Sequence, residues 1–526
     1  MKKDFLWWRD GIIYQIYPRS FADANNDGIG DLQGIIGKLE YLQTLGVDAI
    51  WLSPIYPSPD VDFGYDVADY KAIDPKFGTI KDFEQLVKEA KKRDIHIILD
   101  LVLNHTSDQH EWFIESKKSK DNPYHDWYIW QDPKPNGDPP NQWQAVFGGP
   151  AWEFDPNIGQ YYYHMFYKEQ PDVNWRNPAV RAEMLDVFRF WLKKGVDGFR
   201  LDVFNAYFKD PQLRENPRKF GIRPFDQQKH IYDCSQPEMF PLLNEIRSML
   251  DQYKQAYAVG ESFLATTEQS AGYCGDGKLH AAFNFDFAEN RWHPSRFLKS
   301  AQNWYEALSA EAWPNNFLSN HDMKRAASRY CFREDDRRAK VAAAMLLTLK
   351  GTPFIYYGEE IGLRDIPIRK KSDVKDPIGQ RYWPLHKGRD GCRAPMQWSS
   401  EINAGFSQCD PWLPVHSDYP TRNVTQQSSD PDSLLNFYKK IIKIRRSEPA
   451  LQRGNFTPLN EDPKHILAYQ RQHNDDNLTI LLNFTCQDRD INLPEGHWIS
   501  LIIDNETATG SIQLSPYQVE ILKLKK

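Results

Sequence analysis

The chain has 526 residues, which is long enough to form a large hydrophobic core and two or three domains. Hydrophobic residues make up 40% and charged residues 26%, as in ordinary soluble proteins, and no apolar run is long enough to cross a membrane. A formal net charge of −7 disfavours nucleic acid as a partner.

The N-terminal segment MKKDFLWWRDG has two lysines but lacks the apolar stretch that a signal peptide requires. Six cysteines are scattered along the chain without C-x-x-C spacing, so neither a disulfide framework nor a zinc site is expected. We therefore expect free thiols and a cytoplasmic location.

Eight short β-rich runs alternate with amphipathic stretches such as 82–94 and 181–195. The runs cover residues 12–21, 49–56, 95–105, 197–203, 256–262, 281–287, 315–322 and 353–360. This repeated alternation predicts an α/β fold, a closed (β/α)8 TIM barrel. A doubly wound open sheet is the alternative, and it is disfavoured because no glycine-rich phosphate motif follows the first run.

Two segments depart from a minimal barrel. Residues 106–177 are rich in Trp, Tyr, Pro and Asp and show no clear helical pattern, which predicts a subdomain inserted after strand 3. Residues 452–526 alternate apolar and polar side chains, which predicts a C-terminal antiparallel β domain. The barrel is therefore assigned to residues 1–105 and 178–451.

A loop after the first run, DANNDGIGD (23–31), has the D-x-N-x-D-G opening of a calcium-binding loop. Position 12 of an EF-hand would be Gly34 instead of Glu, so the loop is not an EF-hand. Oxygen atoms at alternate positions can still surround a hard cation; they belong to Asp23, Asn25, Asp27, Ile29 (through its carbonyl) and Asp31. The alternative is a simple turn rich in Asn, Asp and Gly. We expect a structural divalent cation, Ca²⁺ or else Mg²⁺, and no organic cofactor.

Polar side chains collect at the ends of four of the eight runs. In such barrels the active site lies at the carboxyl ends of the strands. These residues are Asp100, Asn104 and His105, then Arg200 and Asp202, then Glu261, and finally Asn320, His321 and Asp322. Each has a structural explanation on its own, such as an ion pair or a helix cap. Four strand ends that all supply carboxylates or imidazoles indicate a catalytic site.

The segment VDGFRLDV (196–203) places two charges inside an apolar run. Alternate side chains of a strand share a face, so Arg200 and Asp202 point the same way. A cation nearby keeps a carboxylate ionised, and a second carboxyl buried beside that charge has a raised pKa. Retaining glycoside hydrolysis needs such a pair, about 5–5.5 Å apart. We expect Asp202 as the nucleophile, Glu261 as the general acid, and Asp322 as a stabiliser of the cationic transition state.

Four segments resemble the signature of the α-amylase superfamily of retaining glycoside hydrolases. They are DLVLNH (100–105), GFRLDV (198–203), VGES (259–262) and FLSNHD (317–322). The resemblance extends over nearly the whole chain. It implies the same roles for Asp202, Glu261 and Asp322, and it implies sugar contacts from His105, Arg200 and His321.

Three further segments resemble the α-glucosidase and oligo-1,6-glucosidase branch: FGYDVADY (63–70), QPDVNW (170–175) and GCRAPMQW (391–398). In that branch an Asp matching Asp66 and an Arg matching Arg393 hold the terminal glucose. Such a pair would close the far end of the pocket, so that only one glucose fits. The implied activity is an exo-acting α-glucosidase that releases α-glucose from short oligosaccharides. The branch also binds a structural divalent cation in a loop similar to 23–31.

The sequence leaves the preferred linkage open. Val203, directly after the expected nucleophile, goes with α-1,6 preference in the resembling branch, whereas the segment 204–217 is more similar to general α-glucosidases. A transglucosidase or sucrose isomerase on the same scaffold is an alternative. A non-catalytic scaffold, like the subunit of amino-acid transporters, is disfavoured because the three carboxylates are present and no membrane anchor is found. We expect a monomer or homodimer that acts on small oligosaccharides.

Overall fold

An eight-stranded parallel sheet lies at the centre of the protein. The structure is a computed structural model that describes residues 5–459, 462–503 and 506–525. Residues 1–4 of the expected barrel, and residues 460–461, 504–505 and 526 of the expected C-terminal domain, lie outside the described residues. Within the described ranges no helix combines the length and the apolar character needed to span a membrane.

The barrel strands and those of the insert are numbered together along the chain. They are β1 (Ile13–Ile16), β2 (Ala49–Leu52), β3 (His96–Leu101), β4 (Trp130–Gln131), β5 (Trp152–Asp155), β6 (Gln160–Tyr163), β7 (Gly198–Leu201), β8 (Tyr257–Gly260), β9 (Ala281–Ala282), β10 (Asn315–Phe317) and β11 (Thr352–Tyr356). The parallel sheet has the order β10–β11–β1–β2–β3–β7–β8–β9. Each of its strands overlaps one of the eight predicted runs.

The strands β9 and β10, at the two ends of this order, approach each other through side-chain contacts and a backbone hydrogen bond between their flanking residues. The N–H of Trp313 donates to the carbonyl of His280 over 3.3 Å, and the rings of Phe283 and Phe317 lie 5.2 Å apart. All residues of the barrel strands are buried except His96, the first residue of β3. The predicted (β/α)8 barrel is confirmed.

Most of the helices surround this sheet, and several begin at a residue whose side chain caps them. They are α1 (Trp7–Asp10), α2 (Leu32–Gly37), α3 (Leu39–Leu45), α4 (Ile80–Lys91), α5 (Glu111–Ser116), α6 (Pro178–Lys193), α7 (Met239–Leu250), α8 (Thr267–Gly272), α9 (Phe285–Ala288), α10 (Pro294–Ala307), α11 (Ala326–Tyr330), α12 (Arg337–Thr348), α13 (Pro377–Tyr382), α14 (Val424–Ser429), α15 (Leu434–Ser447) and α16 (Pro449–Arg453). Thr79 and Asp82 form a capping box at the start of α4. The buried face of this helix consists of Phe83, Leu86 and Ala90.

The insert after β3 contains a small antiparallel sheet of order β4–β6–β5. Its core includes Trp143, Trp152 and Tyr163, whose rings pack edge to face. The expectation that this segment has no clear helix was wrong, because α5 lies within it. Six residues make fewer than two helical turns, which is too short for hydrophobic periodicity to be read from the sequence.

The C-terminal part forms antiparallel sheets, as predicted. Its strands are β12 (Asn455–Leu459), β13 (Ile466–His473), β14 (Asp476–Asn483), β15 (Arg489–Asn492), β16 (Trp498–Ser500), β17 (Thr507–Ala508), β18 (Ser511–Leu514) and β19 (Val519–Leu524). It is fixed to the barrel by Arg471, whose Nη1 donates to the carbonyl of Thr348 over 2.6 Å, and by the stacking of Trp292 on Phe484.

Candidate active site

Strand register brings the expected nucleophile and acid to the same level of the barrel. Strand β7 pairs with β8 so that Leu201 lies opposite Gly260, and the next residue on each strand is Asp202 and Glu261. On the other side, β3 places Asp100 opposite Arg200. Three carboxylates therefore surround one guanidinium at the carboxyl ends of three neighbouring strands.

Arg200 is buried and binds all three of these carboxylates. Its Nη1 lies 2.7 Å from Asp100 Oδ1 and 2.6 Å from Asp202 Oδ1, and its Nη2 contacts Glu261 Oε2. A buried charge is tolerated only when it is paired in this way. Arg200 does not line the cavity described below, so it holds the carboxylates from behind, where the sequence-based expectation was a direct contact with the sugar.

The charge of Asp202 depends on the whole group of carboxylates. Burial raises the pKa of Asp202 well above its usual range; Arg200 opposes this, and the charges of Glu261 and Asp100 add to it. Asp202 and Glu261 also share a hydrogen bond. Arg200 alone thus does not ensure an ionised Asp202, contrary to the sequence-based argument.

Asp322 is held ionised on the opposite side of the cavity. Its Oδ1 lies 3.0 Å from Arg393 Nη2 and 3.1 Å from Arg389 Nη1, and its Oδ2 lies 3.1 Å from His321 Nε2. Burial alone would raise the pKa of Asp322, but His321 and the two arginines lower it well below its usual range. Asp322 is therefore a permanent negative charge facing the catalytic pair.

The two histidines occupy different positions. His105 lines the cavity, its Nε2 lies 3.0 Å from the carbonyl of Tyr65, and burial lowers its pKa, so the ring is neutral near pH 7. His321 lies behind the wall, stacked on Tyr65 with its Nε2 2.6 Å from the phenol oxygen. His105 is thus placed to contact a ligand, whereas His321 supports Tyr65 and Asp322.

Asp66 and Arg393 do not form the pair that was expected to hold the terminal glucose. Asp66 is fully buried away from the cavity, and its oxygens accept bonds from the Ser58 hydroxyl and the N–H groups of Val61 and Asp62. Arg393 is also fully buried, where its Nε donates to the carbonyl of His321. Asp66 therefore shapes a loop, and Arg393 supports Asp322.

A different acid and arginine close the cavity. Asp62 Oδ1 lies 2.6 Å from Arg389 Nη2, and both residues line the cavity. Arg389 also binds Asp322 and, through its Nε at 2.8 Å, the buried Asp376. Sequence reasoning missed this pair because each member lies four residues before the expected one and just outside the motifs at 63–70 and 391–398. The motifs alone do not show which nearby side chain faces the cavity.

The cavity has a volume of about 750 Å³, which suits a disaccharide-sized ligand. Among the expected site residues it exposes Asp202, Glu261, Asp322 and His105. Aromatic side chains form much of the remaining wall: Tyr65, Phe147, Phe166, Phe263 and Phe285. Phe147 and Phe166 come from the insert, so the cavity lies between the insert and the barrel.

Val203 also lines the cavity and has an unusual backbone conformation. Its φ of +33° lies in the left-handed region, which a β-branched residue rarely adopts. Strain of this kind is retained where the surroundings fix it, often beside a functional residue. Here it turns the chain sharply just after Asp202.

The loop at 23–31 provides oxygen donors suited to a hard cation. Asp23, Asn25 and Asp27 each accept backbone N–H bonds inside the loop, and their carbonyl and carboxylate oxygens keep lone pairs available. Asp31 is used otherwise, because it caps α2 at Gly34 N and accepts two amides with its other oxygen. In the described part of the chain, no three His, Cys, Asp or Glu side chains are arranged to share one cation.

A parallel barrel with a hydrogen-bonded pair of carboxyls in an aromatic-walled cavity defines an enzyme of the glycoside hydrolase type. The family model of the α-amylase catalytic domain matches residues 15–454. The chain therefore belongs to the α-amylase catalytic-domain family.

The similarity to individual relatives extends over nearly the whole length of both chains. A probable α-glucosidase of Rhizobium meliloti (strain 1021) is 42% identical, with 96% of each chain covered. An oligo-1,6-glucosidase of Heyndrickxia coagulans is 40% identical, with 99% of this chain and 100% of that protein covered. Among solved structures, an α-glucosyl transfer enzyme has a TM-score of 0.94 at 38% identity, with 99% of this chain and 100% of that chain covered.

Proposed function

We propose that this protein is an exo-acting, retaining α-glucosidase that releases α-glucose from the non-reducing end of short α-glucosides. The observation that carries the proposal is the bridge of Arg389 between Asp62 and Asp322, beside the pair Asp202 and Glu261. A guanidinium and carboxylates at the closed end of a cavity suit the hydroxyls of one terminal glucose. The names of the relatives in Rhizobium and Heyndrickxia support the same substrate class.

The proposed reaction is a double displacement. Glu261 protonates the glycosidic oxygen while Asp202 attacks the anomeric carbon, and water activated by Glu261 then releases the sugar. In this reaction Arg200 fixes both carboxyls, and Asp322 stabilises the positive charge of the transition state. The reaction requires Asp202 to carry the negative charge and Glu261 the proton when the substrate is bound.

We further propose a preference for short α-1,6-linked substrates. Val203 supports this, because it lines the cavity next to Asp202 in a fixed, strained conformation, and the Heyndrickxia relative is named for the same linkage. Initial rates on isomaltose and maltose test the proposal. A clear preference for maltose would contradict it.

Transglucosylation or sucrose isomerisation is the second candidate function. The aromatic wall favours a sugar acceptor over water in the space next to the glucosyl group, and a transfer enzyme has a closely similar structure. A product profile over isomaltose, maltose, sucrose and trehalose distinguishes the candidates. Free glucose from all substrates supports hydrolysis, whereas isomerised disaccharides or trisaccharides support transfer.

We also propose that the loop at 23–31 holds Ca²⁺, or alternatively Mg²⁺, through Asp23, Asn25, Asp27 and the carbonyl of Ile29. When bound, the ion would stiffen a loop that contacts the segment 406–412 and would supply no chemistry to the reaction. A cytoplasmic location is proposed because all six cysteines are free thiols.

A further inference from the structure

The outer wall of the cavity carries negative charge on two elements. Glu268 lies on α8, while Asp286 and Glu289 lie on and just after α9, and all three line the same cavity as the catalytic pair. Their side chains are exposed, and none forms an ion pair within the described ranges. Hydrogen bonds from its own backbone N–H and, to a smaller extent, from the Thr266 side chain lower the pKa of the Glu268 carboxyl.

Among the described residues that line the cavity, no Lys or Arg offers an unpaired positive charge beside these carboxylates. Among the described residues that line the cavity, Arg389 is the one Lys or Arg, and its guanidinium is already shared by Asp62, Asp322 and Asp376. Lys324 is near in sequence but does not line the cavity, and its charge acts on Asp365 and His386. An anionic group in this space would find hydroxyl groups but no unpaired Lys or Arg side chain among the described residues that line the cavity.

The closed end of the cavity, at Arg389, is proposed above to hold glucose, so the outer wall faces the aglycone. We propose that this outer wall selects substrates by charge: it accepts α-glucosides with neutral or cationic aglycones and rejects those with an anionic aglycone, such as a phosphorylated sugar. The inference rests on the proposed α-glucosidase function. Like charges brought together on binding disfavour the wrong partner, which is specificity by repulsion.

The expected size of the effect follows from exposure. Each carboxylate faces solvent, which screens its interaction with a ligand charge several ångströms away. One carboxylate would therefore change binding only a few-fold, whereas three acting together give about a tenfold difference in kcat/KM between anionic and cationic aglycones. Because the charges lie away from the scissile bond, the difference should reside mainly in KM.

Three aryl α-glucosides of nearly equal size provide the test. They carry 4-carboxyphenyl, 4-(hydroxymethyl)phenyl and 4-(aminomethyl)phenyl aglycones, and kcat and KM are measured for each at low and at high NaCl. The expected order of kcat/KM is cationic, then neutral, then anionic, and the spread should shrink at high salt. The double variant Asp286→Asn/Glu289→Gln should reduce the spread several-fold while hydrolysis of the neutral glucoside stays nearly unchanged.

The control variant is Glu311→Gln, which removes an exposed carboxylate that does not line the cavity. It should leave the spread as in the wild type. Equal kcat/KM for the three glucosides, or a spread that the double variant leaves unchanged, would overturn the inference while the α-glucosidase function stands. Failure to cleave any of the three would overturn the proposed function and this inference with it.

Discussion

Replacing Arg389 by methionine should affect both the pocket and the stability of the protein. The guanidinium of Arg389 binds Asp62, Asp322 and Asp376, and the side chain of Asp376 is completely buried. Methionine keeps an unbranched apolar stem but lacks the guanidinium and therefore removes every one of these bonds. The variant therefore leaves three carboxylates without their common cation.

The cost in stability can be derived from Asp376. Burial alone would raise its pKa, but Arg389 lowers it to about 2 from an ordinary value of 3.8. A shift of this size corresponds to about 2.5 kcal/mol in favour of the folded state. That stabilisation is present above pH 4 and is lost as the pH falls through 2. Without Arg389, burial dominates, so the loss should be at least about 2.5 kcal/mol at pH 7 and only about 1.3 kcal/mol near pH 3.

The assay combines urea unfolding at pH 3 and pH 7 with kcat/KM for an aryl α-glucoside. Two charged hydrogen bonds to the terminal glucose are at stake, so kcat/KM should fall about a hundredfold or more. Arg369→Met, at an exposed position of the same long loop, serves as the control and should change neither quantity. An Arg389→Met enzyme with kcat/KM within threefold of the wild type would refute the assignment of this residue to the closed end of the pocket.

Three further predictions concern other carboxylates. Asp62→Asn should lower kcat/KM at least tenfold with little change in melting temperature. Asp66→Asn should chiefly lower the melting temperature, because Asp66 accepts three hydrogen bonds within its loop. The opposite pattern would support Asp66 and Arg393 as the residues that hold the terminal glucose. Burial raises the pKa of Glu359 to about 7, so the folded state binds the extra proton and stability falls by about 3 kcal/mol as the pH rises from 4.5 to 7. Glu359→Gln should abolish this dependence of the unfolding free energy on pH, which urea unfolding between pH 4.5 and 7 measures. A variant with the same pH dependence as the wild type would contradict the reasoning. Chelation with EDTA should lower the melting temperature and Ca²⁺ should restore it, but neither should affect Asp27→Asn; a wild type insensitive to EDTA would exclude the ion.

The sequence predicted the parts of this protein that depend on local pattern and register. All eight strands were found from short apolar runs, and the neighbouring positions of Asp202 and Glu261 follow from parallel pairing. Even β9, with only two residues in the ladder, lies within a predicted run, because its flanking aromatic residues carry the pattern.

The rest of the site could not be predicted because it depends on side-chain direction in irregular segments. Asp62 and Asp66 belong to one turn-rich segment, and only the fold shows that the first faces the cavity and the second caps the turn. Arg389 and Arg393 are separated in the same way. The protonation of Asp202 was likewise beyond the sequence, since it depends on burial and on Asp100 and Glu261 as well as on Arg200.

The sequence suggested two separate explanations for the charges of Arg200 and Asp202, a structural ion pair and a catalytic site, and both apply. The pair is structural, because Arg200 compensates buried carboxylates on three strands. It is also placed at the cavity, where Asp202 and Glu261 are exposed to a ligand. One guanidinium therefore stabilises the barrel and fixes the distance between the reacting groups.

The anomeric form of the first sugar released tests the central claim most directly. Proton NMR recorded within the first minutes of hydrolysis, before mutarotation, distinguishes α-glucose from β-glucose. Asp202 attacks the face opposite the leaving group, and water then attacks the face that the leaving group vacated, so the account predicts α-glucose as the initial product. Initial release of β-glucose would contradict a double displacement by Asp202 and Glu261.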